Sequence, residues 1–98
     1  MGRIQGLVDT LALTASQLLK TGEGYVFSIT IAWTGGTVGH KVYLRDGITG
    51  SAHARVVFIL PSTSGTITKE WSNGKKFDTG IFYDEGQSSN IYTELTYK

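Results

Sequence analysis

The stretch YVFSITIAW (residues 25–33) sets Tyr25, Phe27, Ile29, Ile31 and Trp33 at every second position, alternating with Val26, Ser28, Thr30 and Ala32. Successive side chains of an extended chain point to opposite sides, so this period of two marks a β-strand with one face on a core. The pattern predicts that Phe27, Ile29 and Ile31 pack inward. The small and hydroxylated set then meets water or a neighbour.

Outward from this strand, TGGT (34–37) breaks the alternation and HKVYLRD (40–46) resumes it with Val42 and Leu44 on one side. Asp46-Gly47 opens a turn region that runs through Gly50. ARVVFIL (54–60) follows, and from Val56 to Leu60 it has no polar side, which predicts a central strand buried on both faces with Val57 and Ile59 in the core. Pro61 closes it, because proline cannot donate to a ladder. GTITKEW (65–71) reads as the next strand. Asn73-Gly74 predicts a type I′ hairpin turn, whose two central residues both need positive φ, with residues 75–77 returning antiparallel. GIFY (80–83) is a short strand, 84–90 a loop, and IYTELTY (91–97) the last strand. Near the start, LALTASQLL (11–19) fits either a short amphipathic helix through Leu11, Ala15, Leu18 and Leu19 or two short strands, and its threonines and glycine-rich exit favour strands. Strands at this spacing with glycine turns between them predict an all-β chain: a single small antiparallel β-sandwich, jelly-roll-like or Greek key. Residues 11–98 form the sandwich, and residues 1–10 an extended N-terminal arm.

The 98 residues suffice for one core and not for a second lobe with a deep cleft. A charged fraction of 17% falls below the roughly 25% usual for soluble domains, so serine and threonine cover much of the surface. The net charge of +1 gives no long-range field to attract nucleic acid or an anionic membrane, and neither is expected as a partner. Lys69, Lys75 and Lys76 read as a solvated turn. The absence of cysteine excludes a disulfide framework, a thiolate zinc site and a cysteine nucleophile. MGRIQGLVDT lacks the apolar centre of a signal peptide, and the apolar run Val56 to Leu60 is too short to cross a bilayer, so a soluble chain is expected.

FDTG (77–80) contains the Asp-Thr-Gly triplet of aspartic proteases. Those enzymes need two carboxylates sharing a proton, and a downstream apolar-apolar-glycine element that Phe82-Tyr83-Asp84-Glu85 does not supply. Asp78 and Thr79 therefore read as turn residues with Gly80 as the permissive backbone. His40 and His53 fall in no metal-ligand spacing, and no serine sits in a Gly-x-Ser-x-Gly elbow. GGTVG (35–39) is not followed by Gly-Lys-Ser/Thr and reads as a loop rather than a phosphate cradle. Asp46, Asp84 and Glu85 could ligate calcium together with loop carbonyls, but such a site needs six or more oxygens and two adjacent carboxylates are more often solvated. No catalytic, cofactor-binding or metal-ligating residue is expected, and the chain reads as a non-enzyme. Trp33, Trp71 and the five tyrosines suit a core, a protein interface or a sugar-stacking platform.

Taken in order, VYLRDGITG (42–50), VVFIL (56–60), SGTITKEWSNGKKFDTGIFYDEG (64–86) and NIYTELTYK (90–98) resemble a group of short virion proteins of tailed bacteriophages. The shared plan is a strand with an Asp-Gly turn, a Gly-Thr strand, a Phe-x-x-Gly-Ile/Leu-Tyr/Phe element and a last strand ending in tyrosine and a basic residue. The resemblance covers roughly residues 15–98. It implies a structural β-sandwich of the virion, a capsid decoration or cement protein assembled in the host cytoplasm, a homotrimer whose partner is the major capsid protein or another virion protein. The arm lies outside the resemblance; its Ile4, Leu7 and Val8, together with Trp33 and Trp71, are the expected partner-binding residues. A carbohydrate-binding or adhesion module is the alternative.

Overall fold

In a computed structural model the protein is described over residues 7–10, 12–86 and 90–98. The described residues form eight strands and no helix: β1 (Val8–Asp9), β2 (Gln17–Thr21), β3 (Gly24–Trp33), β4 (Lys41–Asp46), β5 (His53–Ile59), β6 (Gly65–Phe77), β7 (Gly80–Asp84) and β8 (Ile91–Tyr97). They lie in two four-stranded sheets, β1-β8-β3-β6 and β2-β7-β4-β5, antiparallel throughout. The pairs β1·β8, β2·β7, β3·β6 and β4·β5 make the chain one long hairpin, rolled so that successive strand pairs alternate between the sheets. The β3·β8 and β4·β7 pairs then close each sheet. That winding is a jelly roll, so the expected sandwich is present with the jelly-roll order of its strands.

The core is the space between the sheets. Val26, Ile29, Ile31, Trp33, Ile91 and Leu95 enter it from one sheet, Val42, Leu44, Phe58, Ile81 and Tyr83 from the other, with Leu13 and Leu60 at its margins. Two polar side chains go in with them and satisfy each other: the Tyr83 hydroxyl lies 2.6 Å from Thr93 Oγ1. Burial pushes the Tyr83 pKa well above its ordinary value, although the bond to Thr93 opposes the shift. The phenol is therefore a fixed dipole and not an acid.

Three expectations change in the structure. Phe27 is only half-buried, and Val26 takes the core position in its place. The cause is a break in register between Val26 and Ser28 against both neighbouring strands, which inverts the inward face of β3. On the β6 side, that break spans Trp71 to Gly74. Asn73-Gly74 is thus no hairpin turn: β6 runs through it, and only Gly74, at φ +85°, has the positive φ that a type I′ turn asks of both residues. The third change concerns β5, which is an edge strand and not a central one. Its Phe58, and Leu60 just past its end, face the core while Val57 and Ile59 are 46% and 57% exposed. The innermost hairpin of a rolled chain ends at a sheet margin, whatever its composition. The described part of LALTASQLL, residues 12–19, contains no helix: Leu13 bridges to Thr93, and the segment ends in β2.

Candidate interaction surface

The two outer faces of the sandwich differ in chemistry. On the sheet β1-β8-β3-β6, alternation turns Ser28 and Thr30 outward from β3, with Glu94 and Thr96 beside them on β8 and Thr68 and Glu70 on β6. This face is hydroxylated and acidic. It includes the Thr30–Thr68 hydroxyl pair at 3.3 Å.

The other outer face, on β2-β7-β4-β5, carries an apolar band across all four strands. Ile59 and Val57 stand two apart on β5, Val57 pairs with Tyr43 on β4, Arg45 lies two residues beyond Tyr43 on the same strand and pairs with Phe82 on β7, and Phe82 pairs with Leu18 on β2. Leu18 is 41% exposed. The charge within the band is already engaged. The Arg45 guanidinium lies 4.2 Å above the centre of the Tyr43 ring, its Nε donates to Asp84 Oδ2 at 2.9 Å, and its Nη1 donates to the Ala52 carbonyl at 3.0 Å. Burial alone raises the Asp84 pKa, but the Gly86 N–H, Arg45 and the Ser16 hydroxyl outweigh it and hold the carboxyl below its ordinary value. Asp84 thus stays ionised beside its guanidinium.

At one end of the sandwich Ser16, His40, Asp84 and Glu85 gather. Ser16 Oγ donates to Asp84 Oδ1 at 3.3 Å and accepts the Glu85 N–H at 3.0 Å. His40 Nε2 is 2.6 Å from the Glu85 carbonyl, and since a carbonyl only accepts, Nε2 carries the proton. That nitrogen is spent on the backbone and offers no base to a hydroxyl. Glu85 is 3% exposed and its Oε2 has no hydrogen-bond partner among the described residues. Burial raises its pKa, His40 works against the rise and Asp84 adds to it. Among the described residues no three His, Asp or Glu side chains converge as cation ligands.

The Asp-Thr-Gly triplet is a crossover between the sheets. Its backbone N–H groups point at Asp46, whose Oδ1 accepts from Thr79 at 2.7 Å and Gly80 at 3.4 Å, and whose Oδ2 accepts from Asp78 at 3.0 Å. Asp78 itself points to solvent, its side chain 74% exposed and 3.7 Å from the Lys76 amine. The residue that organises this motif is thus Asp46, 32 positions away. Short-range pattern reading has no signal for it.

Of the expected partner residues, Ile4 lies outside the described residues. Leu7 is half-buried, and Val8, in β1, is 45% exposed and pairs with Tyr97 of its own β8, so this part of the arm completes the chain's own sheet. Trp33 is 2% exposed, with its Nε1 donating to the Ser62 carbonyl at 2.9 Å, which makes it a core residue and not a partner contact. Trp71 packs against the core from β6, and with Phe27, Ser28, Glu70 and Ser72 it lines a shallow groove of about 390 Å³. The sequence reading did not bring Leu18, Tyr43 and Phe82 together on one surface, because each pairs across strands with residues far from it in the chain. A scan against protein-family models and a search of curated proteins each returned no match.

Proposed function

We propose that the chain is a structural protein of a tailed-phage particle, a capsid decoration or cement protein that acts through contacts with other proteins and not through catalysis. The reading is supported by the sequence resemblance over residues 15–98. The structural observation that carries it is the apolar band from Ile59 to Leu18, whose charged members are already paired to each other. Apolar surface interrupted only by an ion pair that is already satisfied is suited to burial against protein. A covered Arg45 would leave no unpaired charge behind, the condition under which burying an ion pair is tolerable. The resemblance implies the major capsid protein as partner and a trimeric assembly.

The test is co-sedimentation of the purified chain with empty phage shells. Saturable binding that raises the shells' thermal or mechanical resistance is the expected outcome. Absence of binding to shells, with affinity for a glycan instead, favours the carbohydrate module. The groove between Trp71 and Glu70, an aromatic ring beside an acceptor carboxylate, is the feature that supports that second reading.

A further inference from the structure

We infer that Glu85 and Gly86 form a proton-operated latch at one end of the sandwich, shut while the Glu85 carboxyl is neutral and released when it ionises. The inference rests on the geometry of that end and not on the reading of the apolar band or of the particle.

The direction of one side chain creates the device. On β7 the buried Ile81 and Tyr83 alternate with the half-buried Phe82 and Asp84 of the outer face. Glu85, just past the strand, keeps the inward parity and is 3% exposed. Its Oε2 has no hydrogen-bond partner among the described residues, and Arg45 is bonded to Asp84 instead. A neutral carboxyl in such a place leaves one hydrogen bond unmade, whereas a carboxylate there is a buried and unpaired charge, which costs far more.

The backbone holds the carboxyl in. The Glu85 N–H donates to Ser16 Oγ at 3.0 Å, and its carbonyl accepts from His40 Nε2 at 2.6 Å. Gly86, at φ +73°, lies so close under the His40 ring that a Cβ would meet Cε1 at 2.8 Å. Ser16 lies before β2 and His40 just before β4, so these are contacts between side chains and a strand end, and not bonds of a ladder. Turning the carboxylate out to water breaks the contacts to Ser16 and His40 and leaves both sheets paired. The release is therefore local.

The ionisable groups that face the carboxyl are His40, from the loop before β4, and Asp84 and Tyr83, from β7; the segment before β2 presents the neutral Ser16 hydroxyl. Asp84, ionised beside Arg45, makes a second negative charge at Glu85 costlier, and a protonated His40 makes it cheaper. Tyr83 stays neutral. Because Nε2 carries a proton in both states of the imidazole, titration of His40 does not unmake its bond to the Glu85 carbonyl. That assigns the switch to Glu85. In the released form its carboxyl has the ordinary pKa, and in the shut form burial raises it. Between those two values each pH unit shifts the balance toward release about tenfold, and below the lower one the latch stays shut.

The experiment is an NMR titration of the full chain from about pH 4 to about pH 8, reading the Glu85 carboxyl carbon and amide exchange corrected for its intrinsic pH dependence. The carboxyl is expected to titrate above its ordinary 4.5, with the Glu85 amide losing protection over the same window by up to about tenfold per pH unit. The amide of Ile31, in the core of β3, should keep its protection throughout. In Glu85→Gln, which cannot ionise, the protection of residue 85 should be constant across the range. Titration at the ordinary carboxyl value, protection that does not follow the titration, a loss shared equally by Ile31, or the same pH dependence in Glu85→Gln would each overturn the inference. The wild-type profile decides the matter even if Glu85→Gln fails to fold, and none of these readouts involves shells, so the particle role stands or falls separately.

Discussion

Asp46→Ala removes the acceptor for three backbone N–H groups of the crossover between β6 and β7. Two of the bonds, at 2.7 and 3.0 Å, have full hydrogen-bond geometry, and the third, at 3.4 Å, is marginal. Bonds to a charged acceptor contribute about 1.5 to 3 kcal/mol each, but water replaces part of that at an exposed turn, which leaves about 2 kcal/mol for the substitution. For a domain of this size that lowers Tm by roughly 8 to 16 °C. Asp46→Asn keeps one acceptor oxygen and should lose about half as much. Asp78→Asn, in the protease-like position, should change Tm by no more than about 1 °C, as exposed positions do.

The pH dependence of that loss has a definite sign. Burial pushes the Asp46 pKa up, but the N–H groups of Thr79, Asp78 and Gly80, with Arg55 nearby, outweigh it and hold the carboxyl below its ordinary 3.8. A carboxylate with a lowered folded pKa stabilises fully above its unfolded value, and the contribution disappears as pH falls through the folded one. Thermal unfolding followed by circular dichroism should therefore show the wild-type advantage over Asp46→Ala at pH 7 and a smaller one below about pH 4. An Asp46→Ala protein that melts with the wild type at pH 7, or a gap that widens on acidification, would refute the reasoning.

Other substitutions probe the remaining features. Glu85→Gln should stabilise the fold at pH 7.5 and do less at pH 4, because the buried carboxyl has a raised pKa and resists ionisation only above its unfolded value; an advantage that grows toward acid in the same melts would contradict this. Ile31→Ala, fully buried, should cost about 2 to 5 kcal/mol in urea denaturation, and Val57→Ala, 46% exposed, less than about 1. Gly74→Ala should cost about 1 kcal/mol or more, since a Cβ there meets the Phe27 ring at 3.1 Å on a backbone with φ +85°; an unchanged midpoint would mean that the break in β6 is not held by this glycine.

The class of the fold was legible because it rests on local periodicity. Ile29, Ile31 and Trp33 alternate in the sequence and are buried in the structure, and the glycine-rich breaks fall between strands. What periodicity leaves open is the position of a strand in its sheet. An apolar run such as Val56 to Leu60 reads the same whether its second face is covered by the chain or left bare, and here Val57 and Ile59 are bare. Asn73-Gly74 misled for a different reason: the glycine conformation it supplies serves a register break as well as a hairpin, and the Phe27 ring, 3.1 Å from a Cβ at Gly74, is a tertiary contact. The apolar band, the most informative part of the surface, was the least legible. Its members Leu18, Tyr43, Phe82 and Val57 are distributed over four strands, and only the rolled pairing places them side by side.

Hydroxyl-radical footprinting compares the dilute chain with the same chain at assembling concentration and on shells, reading side-chain oxidation residue by residue. If the protein works by covering the outer face of β2-β7-β4-β5, Leu18, Tyr43, Phe82, Val57 and Ile59 lose reactivity together on assembly while Tyr92, on the opposite face, keeps its own. Unchanged reactivity along the band, or protection at Tyr92 in its place, would show that the protein meets its partners through a different surface.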